Sequence, residues 1–220
     1  MNSASPLHYL WWLVSRASGV VALVLISLSV LLGLAMAAGA LRRKGLKGKV
    51  ARVHEHLALT ALIAIGVHGL SLLGDGWLRP GLQEIAVPFA LSYRPFFTGL
   101  GIIAGYVAVL VGPSFYLRRR IGPVRWRKLH RLSLLVWFLA GIHTVGAGSD
   151  AMRPWLRALV VSPIVPMVYL LVLRALKPSR AASPSKCAVP RRAQRQRFAH
   201  REATPTPAVV ARRPVADETY

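Results

Sequence analysis

The sequence predicts an all-α integral membrane bundle of about five transmembrane helices with a disordered basic C-terminal tail, and three observations carry that expectation. Hydrophobic residues make up 54% of the 220, yet the formal net charge is +22. The apolar residues gather into five stretches, roughly 12–40, 54–74, 96–117, 129–147 and 155–174, most of them near the ~20 residues a helix needs to cross ~30 Å of hydrocarbon. Most of the Lys and Arg residues cluster between those stretches or in the C-terminal tail, as expected where cations flank spans on one side of a bilayer. Backbone in lipid must satisfy its own polar groups, and the alternation of barrel strands is missing, so each stretch is expected to be a helix.

The first stretch lacks a basic leading segment and is longer than the ~7–15 apolar residues of a secretory signal, so it reads as a retained span. It is preceded by a short outward-facing N-terminus, 1–11. The connection that follows carries Arg42, Arg43, Lys44, Lys47, Lys49 and Arg52, and the one after the third span carries Arg118, Arg119, Arg120, Arg125, Arg127 and Lys128. Both are expected to face the cytoplasm. The alternate connections, with Asp75, Arg79, Glu84 and Arg94 and then Asp150, Arg153 and Arg157, are far less basic. This predicts a multi-pass protein of the plasma (inner) membrane with its N-terminus outside and its C-terminus in the cytoplasm. Residues 176–220, rich in Pro, Ala, Ser and Arg, lack the apolar periodicity to bury a core and read as a disordered cytoplasmic tail attracted to anionic lipid.

Clustering of the cations between apolar runs, without interleaved aromatics, argues against specific nucleic-acid binding. A single cysteine, Cys187 in the tail, excludes a disulfide framework or thiolate metal cluster within the chain.

Four of the seven histidines fall inside two spans that run in the same direction: His54 and His68 in the second, His130 and His143 in the fourth. Polar residues inside a bilayer are costly and are functional candidates by default. His54 and His68 are fourteen residues apart, about 21 Å of rise and within about 40° of one face. His130 and His143 are thirteen apart, a similar rise, so two parallel helices can present imidazoles at two matching depths. Neutral imidazole is a good iron ligand, and the two open axial positions of a heme require one donor on each side. On an ideal helix, thirteen residues leave the second pair about 140° from a shared face. The sequence therefore requires an irregular first turn that re-aims His130, or a bend at Gly141.

With these residues the chain resembles the ferric reductase-like transmembrane domain shared by NADPH oxidases, ferric reductases and the heme subunit of a bacterial periplasmic methionine sulfoxide reductase. That family's pattern is two histidine pairs on two helices, with thirteen residues between the first pair and twelve between the second, and both intervals occur here. The run from Trp126 to Leu132 is similar to the family's segment around its third ligand, and Ser15-Arg16-Ala17-Ser18-Gly19 to the start of its first helix. The resemblance implies that 12–175 is a heme-binding transmembrane domain holding two heme b groups. His54 with His130 would ligate the cytoplasmic-side heme, and His68 with His143 the outer one. Unlike full-length oxidases, no FAD or nicotinamide domain is expected after the last span, so flavin (FAD or FMN) would act only through a partner.

Arg16, near the outer end of the first helix, and Arg131 are candidate contacts for heme propionates, as are Arg52 and Arg127, although a snorkelling arginine accounts equally well for Arg16 and topology alone accounts for basic residues at the other three. His56, two residues from His54 and on a different face, reads as an interfacial polar residue and is the substitute ligand for His54. The string His54-Glu55-His56 lacks the i, i+4 histidines of a zinc helix. Gly66, Gly69, Gly101, Gly105 and Gly141 suit close approach of a macrocycle or a helix. Trp11, Trp12, Trp77, Trp126 and Trp155 read as interfacial belt residues.

The expected function is transmembrane electron transfer by the membrane subunit of an oxidoreductase, with no catalytic residue of its own. Electrons would enter from a cytoplasmic flavoprotein reductase, a soluble flavin or a quinol, and leave to an outer acceptor such as a periplasmic redox partner. The alternatives are a non-heme transporter or scaffold using the histidines for proton relay or metal binding, and a heme sensor.

Overall fold

In the computed structural model, residues 6–41 and 45–176 are described. The expected tail from 177 onward and Arg42, Arg43 and Lys44 lie outside the described residues. Among those described, all regular structure is helical. The chain is an all-α membrane bundle with four helices long and apolar enough to cross a bilayer, and a fifth if one bent pair counts as a span.

Helix α1 (Pro6–Ala38) is the longest, opening at a proline that needs no intrahelical donor. It therefore takes in part of the segment expected to precede the first span. α2 (Leu46–Ser71) starts eight residues earlier than the apolar stretch, because Lys47, Lys49 and Arg52 are good helix formers whose side chains can extend to the headgroups. A 3₁₀ turn at Leu72–Gly74 ends it. Buried Asp75 then accepts the Trp77 and Leu78 amides on Oδ1, closing the turn. After the short α3 (Leu82–Ala86), α4 (Pro95–Val111) runs back across the bundle.

Gly112-Pro113 breaks the third span. The proline contributes no donor and its ring excludes a straight continuation, so α5 (Ser114–Ile121) leaves α4 at 54°. Gly122, with φ 88°, turns the chain into α6 (Pro123–His130). The basic connection is thus a helical hairpin in which Phe115 meets Trp126 with ring centroids 6.0 Å apart. Tyr116 donates to Glu55 (2.8 Å), tying α5 to α2 beside His54. The fourth span consists of α6 and α7 (Ser133–Ala147), the fifth of α8 (Pro154–Val161) and α9 (Ile164–Ala175), interrupted at Pro163.

Two antiparallel hairpins, α1 with α2 and α4 with α7, form the closest packing. α9 covers α1 and α7, burying Val30, Leu34 and Met167 against Leu134, Trp137 and Leu170. Trp137 Nε1 donates to Ser27 Oγ (2.9 Å), joining the hairpins by a side-chain bond of the kind that holds helices together in lipid. Close backbone packing is not a feature of α2 against α6 or α7, the helices of the two spans that carry the histidines.

Candidate functional site

Across that interval the four histidines meet in pairs. His54 and His130 face each other with ring centroids 5.9 Å apart and planes at 81°; His68 and His143 lie at 6.1 Å and 75°. Two imidazoles ligating one metal from opposite sides, each nitrogen ~2.0 Å from it, would have centroids roughly 6 Å apart. The pairing also makes α2 and α7 parallel, so Lys47, Lys49 and Arg52 of α2 and the basic α5–α6 hairpin lie at the His54–His130 end.

Three of the rings are fixed by backbone carbonyls of the adjacent helix. His68 Nδ1 lies 2.8 Å from the Ser15 carbonyl, His54 Nδ1 2.8 Å from that of Ser29, and His143 Nδ1 2.9 Å from that of Phe97. A carbonyl only accepts, so each Nδ1 carries the proton and each Nε2 keeps its lone pair. That tautomer is the one metal-binding histidines adopt when the other ring nitrogen is held by a carbonyl. On α1 the bond is reciprocated: Ser15 Oγ donates to the His68 carbonyl (3.1 Å) and Ser29 Oγ to that of His54 (3.4 Å).

His130 is held differently. Its Nδ1 is buried without a hydrogen-bond partner, as is Nε1 of Trp126, and the two rings stack at 5.1 Å and 24°. Trp126, expected in the interfacial belt, is thus a contact of a site histidine. The required re-aiming of His130 occurs immediately after it. The amides of Arg131, Leu132 and Leu134 donate to carbonyls three residues back, a 3₁₀-like tightening that adds about 20° per residue and recovers roughly 60–80° of the misalignment. α7 then runs unbroken through Gly141.

The remaining candidates are dispersed. Arg16 forms an ion pair with Asp150 (2.5 Å) and lies over the Trp12 ring. Arg52, His56, Arg127 and Arg131 are exposed. Gly101 faces the His143 ring, whereas a Cβ on Gly66 or Gly69 would meet open space, and Gly105 and Gly141 are in ordinary contact range of Ile65 and Val160. The sequence reading overlooked Ser29, Gly33 and Phe97. A signal for the first two exists: Ser-x3-Gly occurs at 15–19 and again at 29–33, repeating along α1 at the interval that separates His54 from His68.

Residues 18–142 match the family model described as "Ferric reductase like transmembrane component". The chain belongs to that family. The matched segment contains His54, His68 and His130 and ends one residue before His143. Curated relatives include the protein-methionine-sulfoxide reductase heme-binding subunit MsrQ of Salmonella arizonae, 30% identical over 56% of this chain and 50% of the relative. The same subunit of Salmonella paratyphi B and of Salmonella newport is 36% identical over 40% of this chain and 37% of the relative. The chain spans half or less of the length of these relatives in the aligned regions. No solved structure matches.

Proposed function

We propose that this family member is a heme-binding membrane subunit that carries electrons across the bilayer through two bis-histidine b-type hemes, one between His54 and His130 and one between His68 and His143. The observation that carries the reading is the pair of facing imidazoles at two depths, three of the four fixed as Nδ1–H tautomers with Nε2 free. Heme b held by these histidines would supply a one-electron couple at each level, and two imidazole donors to one iron would leave it no open site for oxygen. The chain's own residues set the separation of α2 from the α6–α7 span and orient the imidazoles. Fourteen residues of helix separate the levels by about 21 Å along α2.

The names of the curated relatives support heme. The cationic α5–α6 hairpin beside the His54–His130 level supports the cytoplasmic side as the entry end, with a flavoprotein reductase (FAD or FMN), free flavin or quinol as donor and an outer redox partner as acceptor. The same charge pattern supports an N-terminus outside and a cytoplasmic C-terminus. A non-heme relay has less support. α1 is apolar from Val20 to Ile26, between the serines of the two levels, and among the described residues no cluster of three or more His, Cys, Asp or Glu side chains is placed to bind a metal ion.

The test is a dithionite-reduced minus oxidised spectrum of the purified protein, with stoichiometry from pyridine hemochrome. Two low-spin b hemes per chain are expected, and absence of low-spin b-type bands overturns the proposal.

A further inference from the structure

Histidines 54, 68 and 143 share one local device. In each case the accepting carbonyl belongs to a residue followed four positions later by glycine: Ser29 and Gly33, Ser15 and Gly19, Phe97 and Gly101. A helical carbonyl points toward residue i+4 and spends one lone pair on that residue's amide. Its second lone pair is open to a neighbouring helix when position i+4 carries no side chain to cover it. A Cβ at Gly101 would lie 2.5 Å from His143 Nδ1, at Gly19 2.9 Å from His68 Nδ1, and at Gly33 3.2 Å from His54 Cε1. Each glycine therefore gives its imidazole access to the carbonyl one turn earlier.

The fourth histidine has no equivalent. Thirteen residues beyond Phe97, the interval from His143 back to His130, stands Leu110, and four beyond it Ser114, where α4 has already broken into α5. The 54° bend there removes the straight helix edge on which the other three rings rest. His130 instead has a stacked indole and an unpartnered Nδ1.

We propose that these three carbonyl–glycine pairs are positioning elements that lock histidine orientation and tautomer, and that the missing fourth pair makes the His54–His130 level the more exchangeable of the two. The inference rests on the heme reading above. A locked imidazole cannot rotate without breaking a bond to a fixed backbone group, so its Nε2 would be held in one pose toward a bound heme. His130 has the Trp126 stack and no hydrogen bond on Nδ1 to fix its rotation.

Two measurements on the full chain carrying its hemes test this. Gly101→Ala, Gly19→Ala and Gly33→Ala are compared with Gly66→Ala and Gly69→Ala, which face open space, by low-spin ferric EPR and hemochrome content. The first two should shift or abolish the signal of the His68–His143 level, with Gly101→Ala the stronger, and Gly33→Ala that of the other level, while both controls match wild type. Separately, heme transfer to apomyoglobin is timed in chains retaining one level. His68→Ala, which keeps His54 and His130, should lose heme about tenfold faster than His54→Ala, the scale of outer-shell effects on metal affinity. Silent substitutions at 19, 33 and 101, or equal transfer rates, overturn the proposal. A wild-type chain without low-spin heme overturns the function reading itself, which distinguishes the two failures.

Discussion

At the His68–His143 end of the bundle both imidazoles donate to carbonyls of neighbouring helices; at the His54–His130 end only one does. The ring separations are nearly the same, 6.1 and 5.9 Å, so ligand spacing and ligand restraint are set by different parts of the fold. Spacing follows from two parallel helices with matched intervals. Restraint follows from what each histidine's own hairpin partner offers. α1 is one uninterrupted helix through both levels and provides the same Ser-x3-Gly edge twice. α4 provides its edge once and then bends at Gly112-Pro113, where the chain becomes the basic α5–α6 hairpin. The level nearest the cationic connection has given up a rigid contact in the same segment that builds that connection.

The largest effect that would break this comparison is at the ligands. His68→Ala and His143→Ala should each lower heme content by about half and leave the same residual spectrum, since one heme requires both axial donors. Different residual spectra would refute the pairing. A smaller effect should come from Trp126→Leu, which removes the ring stacked on His130. Heme loss from the His54–His130 level should rise several-fold with the other level unchanged, given the ~0.5–1.5 kcal/mol worth of an aromatic pair; equal loss from both levels would show that Trp126 acts on the whole bundle.

Weaker still is the tie between Arg16 and Asp150. The pair is partly exposed, so Arg16→Gln and Asp150→Asn should each lower unfolding stability by about 1 kcal/mol or less in detergent. If only the arginine variant alters the spectrum of the His68–His143 level, Arg16 serves a propionate rather than the ion pair. The smallest expected change is Ser27→Ala, which removes the acceptor of Trp137 and should cost about 0.6 kcal/mol, the average for an interhelical bond in a membrane protein. A loss several times larger, read by denaturant titration, would mean that this contact alone holds the two hairpins together.

Much of the fold was legible because lipid leaves few options. Apolar stretches of span length become helices, and cations collect at alternate connections, so five stretches and the parallel course of the second and fourth followed from patterning. Boundaries were less legible: Lys47, Lys49 and Arg52 read as a loop but extend α2, since charge alone does not end a helix. The intervals within the two histidine pairs were visible, and the first pair shared a face on simple helix geometry. Trp126 was placed in the interfacial belt because an aromatic near a basic flank carries the same sequence signal whether it faces lipid or stacks on a histidine.

The sequence by itself determined the class of protein, the number of apolar stretches and the four imidazoles at two depths, because these depend on hydropathy and on a fixed rise per residue. Only the tertiary structure decided how His130 reaches its partner and which histidines are locked. The tightened turn after His130 contains neither proline nor glycine to announce it; it is a compromise between helix winding and the position demanded by α2. The Ser-x3-Gly repeat stands in plain view in α1, yet acquires meaning only when antiparallel packing lays Ser15 beside His68 and Ser29 beside His54. A carbonyl's free lone pair belongs to whichever helix is brought against it, and that is settled by packing rather than by the residues that carry it.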